Sequence, residues 1–385
     1  MTRLLFITTG LYFDPTDAST RLRYKTLSDA GFSGYITCVV YDRAHRNIDI
    51  GNFKLISLYL PPLLQGYGAI RGLVRALYYS NFCLWKGVTK RAFYDVSIGA
   101  DTFKSGLLCY ILSTLTNKPY IVEVAGNYIR AYNVTTQNIS MIDRLKQSYL
   151  KKVSPLVLAH ADAVKLLYET QLEGLATVAN KKKIYVFHDT SGFEELNPSK
   201  IVDDKFIFSA GHPWHLKGMD IIIRAFNSIQ HEIPEYKLCI AGYCTDISEY
   251  ERLADANPNI IFCEQGLTIE EMKEKFRTCS LYLLASRSEA MGRVLLEAMA
   301  SKKPIIASKI DGVPRIIQNE KNGLLFEPEN IEELAEKILV LIQNKAFADK
   351  LVAQALTDLQ TKFSCKCFMD KYTEMVNYSI NAYNN

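Results

Sequence analysis

The sequence predicts a parallel α/β protein of two domains, and three observations carry that prediction. Apolar strand-like runs alternate with helical periodicity from one end to the other, the pattern of strands joined by crossover helices. At 385 residues the chain exceeds what one ordinary core encloses. The charged, proline-bearing stretch from Glu194 to Asp204 lies between two strand runs and reads as a linker. The expected division is therefore residues 1–197, residues 203–363 and a terminal segment 364–385.

In the first half, β-branched and apolar runs predict strands at 3–8, 35–41, 54–58, 95–99 and 119–124, with Ile184–Phe187 closing the domain as its last strand. Helical spacing predicts helices at 19–30, 68–92, 104–116, 142–153 and 165–178, the first capped by Ser19 or Thr20. The second half repeats the alternation, with strand runs at Phe206–Ala210, Lys237–Ala241, Leu281–Ala285, Pro304–Ser308 and Asn322–Phe326. In the tail, Phe368, Tyr372, Met375 and Val376 fall at i, i+4, i+7 and i+8, one face of a helix. No short-period repeat is present.

Composition excludes several classes. Apolar content of 48% and charged content of 22% are those of a soluble globular protein. A net charge of +4 with no long basic tract gives no footprint for nucleic acid. Nine cysteines without a Cys-x-x-Cys read as reduced, mostly buried thiols. The histidines show no metal-ligand spacing, so no metal is expected. The run Gly66-Tyr-Gly68-Ala-Ile-Arg-Gly72 follows no strand and its third glycine comes one position late, which fails the dinucleotide fingerprint. The N-terminal run lacks a signal-peptide core, and no stretch reaches bilayer-spanning length, so a cytoplasmic location is expected.

The most informative segment is Ser286 to Ala300. It follows an apolar strand, places Glu289 just ahead of a helix start and puts Glu297 inside an otherwise apolar helix. Strand, Gly-containing turn and helix form a cradle for a phosphorylated ligand, whose charge meets the N–H groups and the positive end of the helix dipole. Carboxylates there repel phosphate but accept hydrogen bonds from hydroxyls, so Glu289 suits a sugar and Glu297 a ribose. A carboxylate in the apolar run Val294–Ala300 is costly unless it is hydrogen-bonded or faces an opening. A nucleotide-sugar satisfies both halves of such a site.

The Glu-x7-Glu spacing followed by Ala-Met-Ala resembles the signature of family 4 retaining glycosyltransferases, which have the GT-B fold of two Rossmann-like domains facing a central cleft. Phe206–Gly211, His212–Gly218 and Ile221–Phe226 resemble that family's opening strand, phosphate loop and first helix of the donor domain. Lys237–Gly242 and Asn322–Phe326 resemble two further strands, so the similarity covers most of residues 205–375. The resemblance implies a donor site of Gly211, His212, Lys217, Glu289, Glu297 and the N–H groups of Met291, Gly292 and Arg293. Lys217 would neutralise the donor diphosphate and Glu289 would hold the transferred sugar, making these two the catalytic pair. Where an arginine usually accompanies the lysine, this chain has His212, which is fully charged only when protonated.

The first domain would bind the acceptor, with Asp14, Ser19, Gly126 and Asn127 lining the cleft. Ala18-Ser19 replaces the family's paired glycines there, and Ala125 stands where many relatives have a histidine. Asp311-Gly312 occupies another glycine-rich position, with Gly312 framing the sugar-phosphate pocket and Arg315 at the surface. By the same resemblance the terminal helix crosses back to the first domain, and the reaction transfers a sugar to a hydroxyl in polysaccharide, lipopolysaccharide or glycolipid assembly. No cofactor is implied. The chain contains no Asp-x-Asp, the motif that holds a divalent ion in the other large glycosyltransferase fold.

Two alternatives remain open from the sequence: a binding or assembly partner that kept the fold without catalysis, and a sugar-nucleotide epimerase. Residues 67–93 also leave two readings. Their aromatic and basic side chains fit either an ordinary half-buried surface helix or a helix lying peripherally on the cytoplasmic face of an anionic membrane, and Arg144, Lys146, Lys151 and Lys152 add a second basic helix.

Overall fold

The computed structural model describes residues 1–12, 18–41, 48–65, 69–126, 141–173, 183–189 and 203–384. These fall into two compact units. The described residues up to 189, together with 365–384, belong to the first; residues 203–364 belong to the second. The expected 197/203 boundary and most of the linker lie outside the described residues, as do Asp14 and Asn127.

The first unit is built on an eight-stranded sheet. Its strands are β1 (Arg3–Tyr12), β2 (Ser33–Val40), β3 (Asp49–Ile50), β4 (Phe53–Tyr59), β5 (Val96–Gly99), β6 (Tyr120–Glu123), β7 (Ala163–Leu166) and β8 (Ile184–Val186). They are ordered β3-β4-β2-β1-β5-β6-β7-β8, with every pair parallel except the short β3–β4 ribbon. Helices α1 (Ala18–Asp29), α2 (Ala69–Thr89), α3 (Ser105–Thr116) and α4 (Met141–His160) connect them. Successive strand residues point to opposite faces, and each face buries its own set.

On one face Leu4, Phe6, Ile36, Val96, Ile98 and Ile121 pack with Tyr24 and Leu27 of α1. The same core takes Phe368, Tyr372, Met375 and Val376 from the last helix, α12 (Cys365–Asn384). The tail's apolar stripe thus closes the core of the first unit, and the Tyr372 hydroxyl donates to Glu123 Oε1 at 2.7 Å. The other face carries α2, α3 and α4. Thr37 of β2 hydrogen-bonds Tyr79 of α2 at 3.1 Å, and Tyr120 of β6 donates to the Val157 carbonyl of α4 at 2.6 Å. Between them α3 touches both neighbours: a Cβ on Gly87 of α2 would lie 2.6 Å from Leu112, and one on Gly106 would lie 3.0 Å from Val157.

Two expectations for this unit fail. The helix expected at 165–178 begins instead as strand β7, followed by turns through residue 173. Its residues have good helix propensity, but Ala163–Leu166 is wholly buried between β6 and β8, and sheet pairing overrides that propensity. Helix α1 runs Ala18–Asp29, so Ser19 and Thr20 fall inside its first turn and not at the position before it.

The second unit is a six-stranded parallel sheet. Its strands are β9 (Phe206–Ala210), β10 (Lys237–Ala241), β11 (Ile260–Cys263), β12 (Leu281–Leu284), β13 (Ile305–Ser308) and β14 (Leu324–Phe326). They run β11-β10-β9-β12-β13-β14, so the order reverses between β9 and β12. The helices are α5 (Met219–Ile229), α6 (Ser248–Ala254), α7 (Ile269–Thr278), α8 (Arg293–Ala300), α9 (Val313–Ile316), α10 (Ile331–Gln343) and α11 (Lys345–Lys362). Near-continuous burial along β9, β12, β13 and β14 is what a sheet covered on both faces requires.

Met375 has no exposed surface, so Met375→Ala should weaken its unit by about 2–5 kcal/mol. Hydrogen exchange checks this: amides of β5 and β6 should exchange faster, with β9 and β12 unaffected.

Candidate functional site

In an open parallel sheet, ligands bind beyond the carboxyl ends of the strands where the strand order reverses. Two loops leave the second sheet at that place: Gly211–Gly218 after β9 and Ala285–Gly292 after β12. They are locked together. Gly218 has φ +65°, and a Cβ there would sit 2.1 Å from the Ala285 carbonyl oxygen, so only glycine permits the contact. The Arg287 N–H donates to the Leu216 carbonyl at 2.8 Å. The Arg287 guanidinium grips Asp220 of α5 with two bonds of 2.8 and 2.7 Å and also reaches Glu329. Below them the Tyr282 hydroxyl donates to the Ala210 carbonyl, tying β12 to the end of β9.

The clamp brings Lys217 and Glu289, 72 residues apart, to 2.5 Å between Nζ and Oε2. Glu289 is held from several sides. Its Oε2 accepts from Ser286 Oγ at 3.3 Å and its Oε1 from the Gly292 N–H at 3.2 Å. Its own N–H donates to Asp311 Oδ2 at 3.0 Å, and Ser288 Oγ donates to the same oxygen at 2.8 Å. Gly292, at φ +63°, turns the chain into α8, so the N–H groups of α8's first turn open at this loop. Met291 is buried behind the turn, while Arg293 is exposed on it.

Glu297 lies in the second turn of α8, among the buried Leu295, Leu296, Ala298 and Met299. Among the described residues no hydrogen bond reaches its carboxylate. Burial pushes its pKa up to about 7, against the opposing pull of Arg293. The buried Tyr282 hydroxyl titrates well above its usual range, first through burial and then through the charges of Glu297 and Glu289, which places both carboxylates around it.

His212 hydrogen-bonds through Nδ1 to the Tyr243 carbonyl at 2.6 Å. A carbonyl only accepts, so Nδ1 carries the proton and the neutral ring offers Nε2 as an acceptor. Charge for a phosphate is therefore supplied there only by the imidazolium. Gly211 donates its N–H to the Ala241 carbonyl, and Gly242 packs so tightly on the Gly211 carbonyl that a Cβ would lie 2.1 Å away.

Gly211, His212, Lys217, Glu289, Met291, Gly292, Arg293 and Glu297 therefore all lie on these two loops or on α8. In the first unit, Ser19 falls in the first turn of α1 and Gly126 just past β6. Sequence reasoning missed the clamp Arg287–Asp220 and the role of Asp311, since each acts on a partner more than twenty positions away. Arg315 is half-buried, not the surface residue expected.

Two parallel-sheet α/β units, each with the strand reversal that creates a ligand crevice, define the GT-B class of nucleotide-sugar enzymes. Comparison supports this over the whole chain. Sucrose-phosphate synthase from Thermosynechococcus elongatus superposes with a TM-score of 0.80 at 17% identity, over 99% of this chain and 100% of that one. The Anabaena protein HepE, solved in complex with UDP-glucose, superposes with a TM-score of 0.70 at 15% identity, over 98% and 100%. An uncharacterized glycosyltransferase of Methanocaldococcus jannaschii is 39% identical over 352 residues, 90% of this chain and 89% of that protein. A capsular polysaccharide biosynthesis glycosyltransferase of Staphylococcus aureus is 22% identical over 301 residues, 73% and 76% of the two chains. The family model for glycosyl transferases group 1 matches residues 193–357. The chain belongs to the group 1 glycosyltransferases.

Glu297 makes apo stability depend on pH. With its pKa raised from 4.5 to about 7, the native carboxyl keeps a proton that the unfolded chain releases. Its contribution is complete below about pH 4.5 and is lost as pH rises through 7. Thermal melts of the apo protein from pH 5 to 8 should show this decline, and Glu297→Gln should flatten it.

Proposed function

We propose that this glycosyltransferase moves a sugar from a nucleotide-sugar to an acceptor hydroxyl with retention at the anomeric carbon. The observation that carries the reading is the pairing of Lys217 with Glu289 at the strand reversal, one helix start away from Glu297, whose carboxylate accepts no hydrogen bond from the described residues. Lys217 and the N–H groups of Met291, Gly292 and Arg293 take the diphosphate, where negative charge grows as the leaving group departs. Glu289 accepts hydroxyls of the transferred sugar. Glu297 accepts hydrogen bonds from the ribose hydroxyls, which supply donors that no described residue offers its carboxylate. Gly211 and His212 border the diphosphate from the other loop. No divalent ion is needed in this scheme, because a fixed cation and a helix start carry the charge.

Retention without a nucleophilic side chain fits a front-face route, in which the leaving phosphate takes the acceptor proton. The HepE complex favours a UDP-sugar as the donor, and the capsular relative favours a polysaccharide or related glycan as the product. We assign the acceptor, a carbohydrate or lipid-linked hydroxyl, to the carboxyl ends of β1 and β6 in the first unit. Ser19 and Gly126 stand there, at the sheet edge where such folds take ligands.

Calorimetry and a transfer assay with UDP-glucose test the assignment. Lys217→Ala and Glu297→Ala should each reduce donor binding or turnover by about 100-fold or more, the scale on which charge-stabilising groups act. Near-normal transfer by both variants overturns the site. Donor affinity should rise with pH through about 7 as Glu297 ionises, a dependence that Glu297→Gln removes. Chelation by EDTA should leave the transfer rate unchanged.

A further inference from the structure

We propose that the outer surface of the α2–α3–α4 layer is a docking site for an anionic lipid bilayer. This goes beyond the donor site and does not depend on it. The inward side of α2 is fixed by Tyr79, Cys83 and Gly87, which meet β2 and α3. The opposite side presents Leu73, Leu77, Trp85 and Val88, spaced to form one stripe along the helix. These side chains are 63%, 57%, 60% and 39% exposed. On α4, Ser154 and Val157 point inward, while Leu145, Tyr149 and Leu156 form a second exposed stripe. Both helices flank α3 on the same face of the sheet, so the two stripes belong to one surface. Exposed apolar surface of this extent marks an interaction site.

Charge identifies the partner. Residues 69–93 hold five cations and no acid, and α4 adds four cations against Asp143 alone, although the whole chain nets only +4. The remainder of the protein is therefore acidic, and the basic excess is concentrated on this layer. Lys86 Nζ lies 4.2 Å over the Trp85 ring and Lys90 Nζ 5.2 Å over the Phe93 ring, which sets ammonium groups at the level of exposed aromatic edges. Aromatic rings at headgroup depth, aliphatic side chains beneath them and lysines toward lipid phosphates are what an interfacial helix requires. Among the described residues no helix is long and apolar enough to cross a membrane, so the contact would be peripheral.

Sedimentation of the full chain with vesicles of phosphatidylglycerol and phosphatidylcholine tests this, with pure phosphatidylcholine vesicles as the comparison. Binding should be at least about tenfold stronger to the anionic vesicles and should fall with added salt. The pair Lys86→Gln and Lys90→Gln should weaken it about thirtyfold, about fivefold for each cation removed from the surface. Leu77→Glu with Trp85→Glu should abolish it. Ile269→Glu, an exposed apolar position on the second unit, should leave it unchanged. Should the double glutamate variant fail to fold by circular dichroism, the glutamine pair and the salt series carry the test. No binding to anionic vesicles, equal binding to both compositions, or equal loss with Ile269→Glu overturns the proposal. A concentration-dependent dimer that Trp85→Glu dissociates, without vesicle binding, assigns the surface to a second copy and overturns it too.

Discussion

The candidate site of the second unit rests on one close approach, that of Gly218 to the Ala285 carbonyl. It lets the loop after β9 lie directly on the loop after β12, where Lys217 and Glu289 meet. Lys217 belongs to the first loop and Glu289 to the second; without the approach they would be two solvated charges. The bond from Arg287 to Leu216 and the grip of Arg287 on Asp220 keep the loops in register. The strand order places this crossing at the one point of the sheet where neighbouring crossovers part and leave strand ends open.

The ion pair at the centre has a chemical logic of its own. Lys217 and Glu289 are each largely buried, and each would be costly there without the other. In the proposed reaction they serve different parts of one ligand, the lysine a diphosphate and the glutamate a sugar. Donor binding thus exchanges partners between groups already desolvated and fixed. Ser286 and the Asp311 contacts hold the glutamate loop in place during the exchange, so little reorganisation is left for the reacting state.

Much of this was readable from residue patterns. The strand runs of the second unit match β9, β10, β12, β13 and β14 because fully buried parallel strands are written as continuous apolar runs. Glu297 is legible as an acid in an apolar helix; the structure sets it among buried neighbours, with no hydrogen bond from the described residues and its pKa pushed up to about 7 by burial. The tail's four apolar positions are legible as a stripe; spacing carries no address for it, and only the family resemblance pointed to the first unit, whose core it joins. Strand β7 was misread because Ala163–Leu166 has helix-compatible residues and gains its conformation from neighbours far away in the chain. Asp311 and Arg287 escaped notice for the same reason: their roles lie in long-range hydrogen bonds that leave no local signature.

The placement of α12 has a consequence for the order in which the protein is made. The first core is completed by Phe368, Tyr372, Met375 and Val376, which the ribosome delivers only after all of the second unit has been synthesised. Until then the nascent first sheet carries an uncovered apolar face beside α1. The described residues of the second unit, 203–364, form one continuous stretch and can reach their native state before the first core is complete, reversing the usual amino-to-carboxyl sequence of domain maturation.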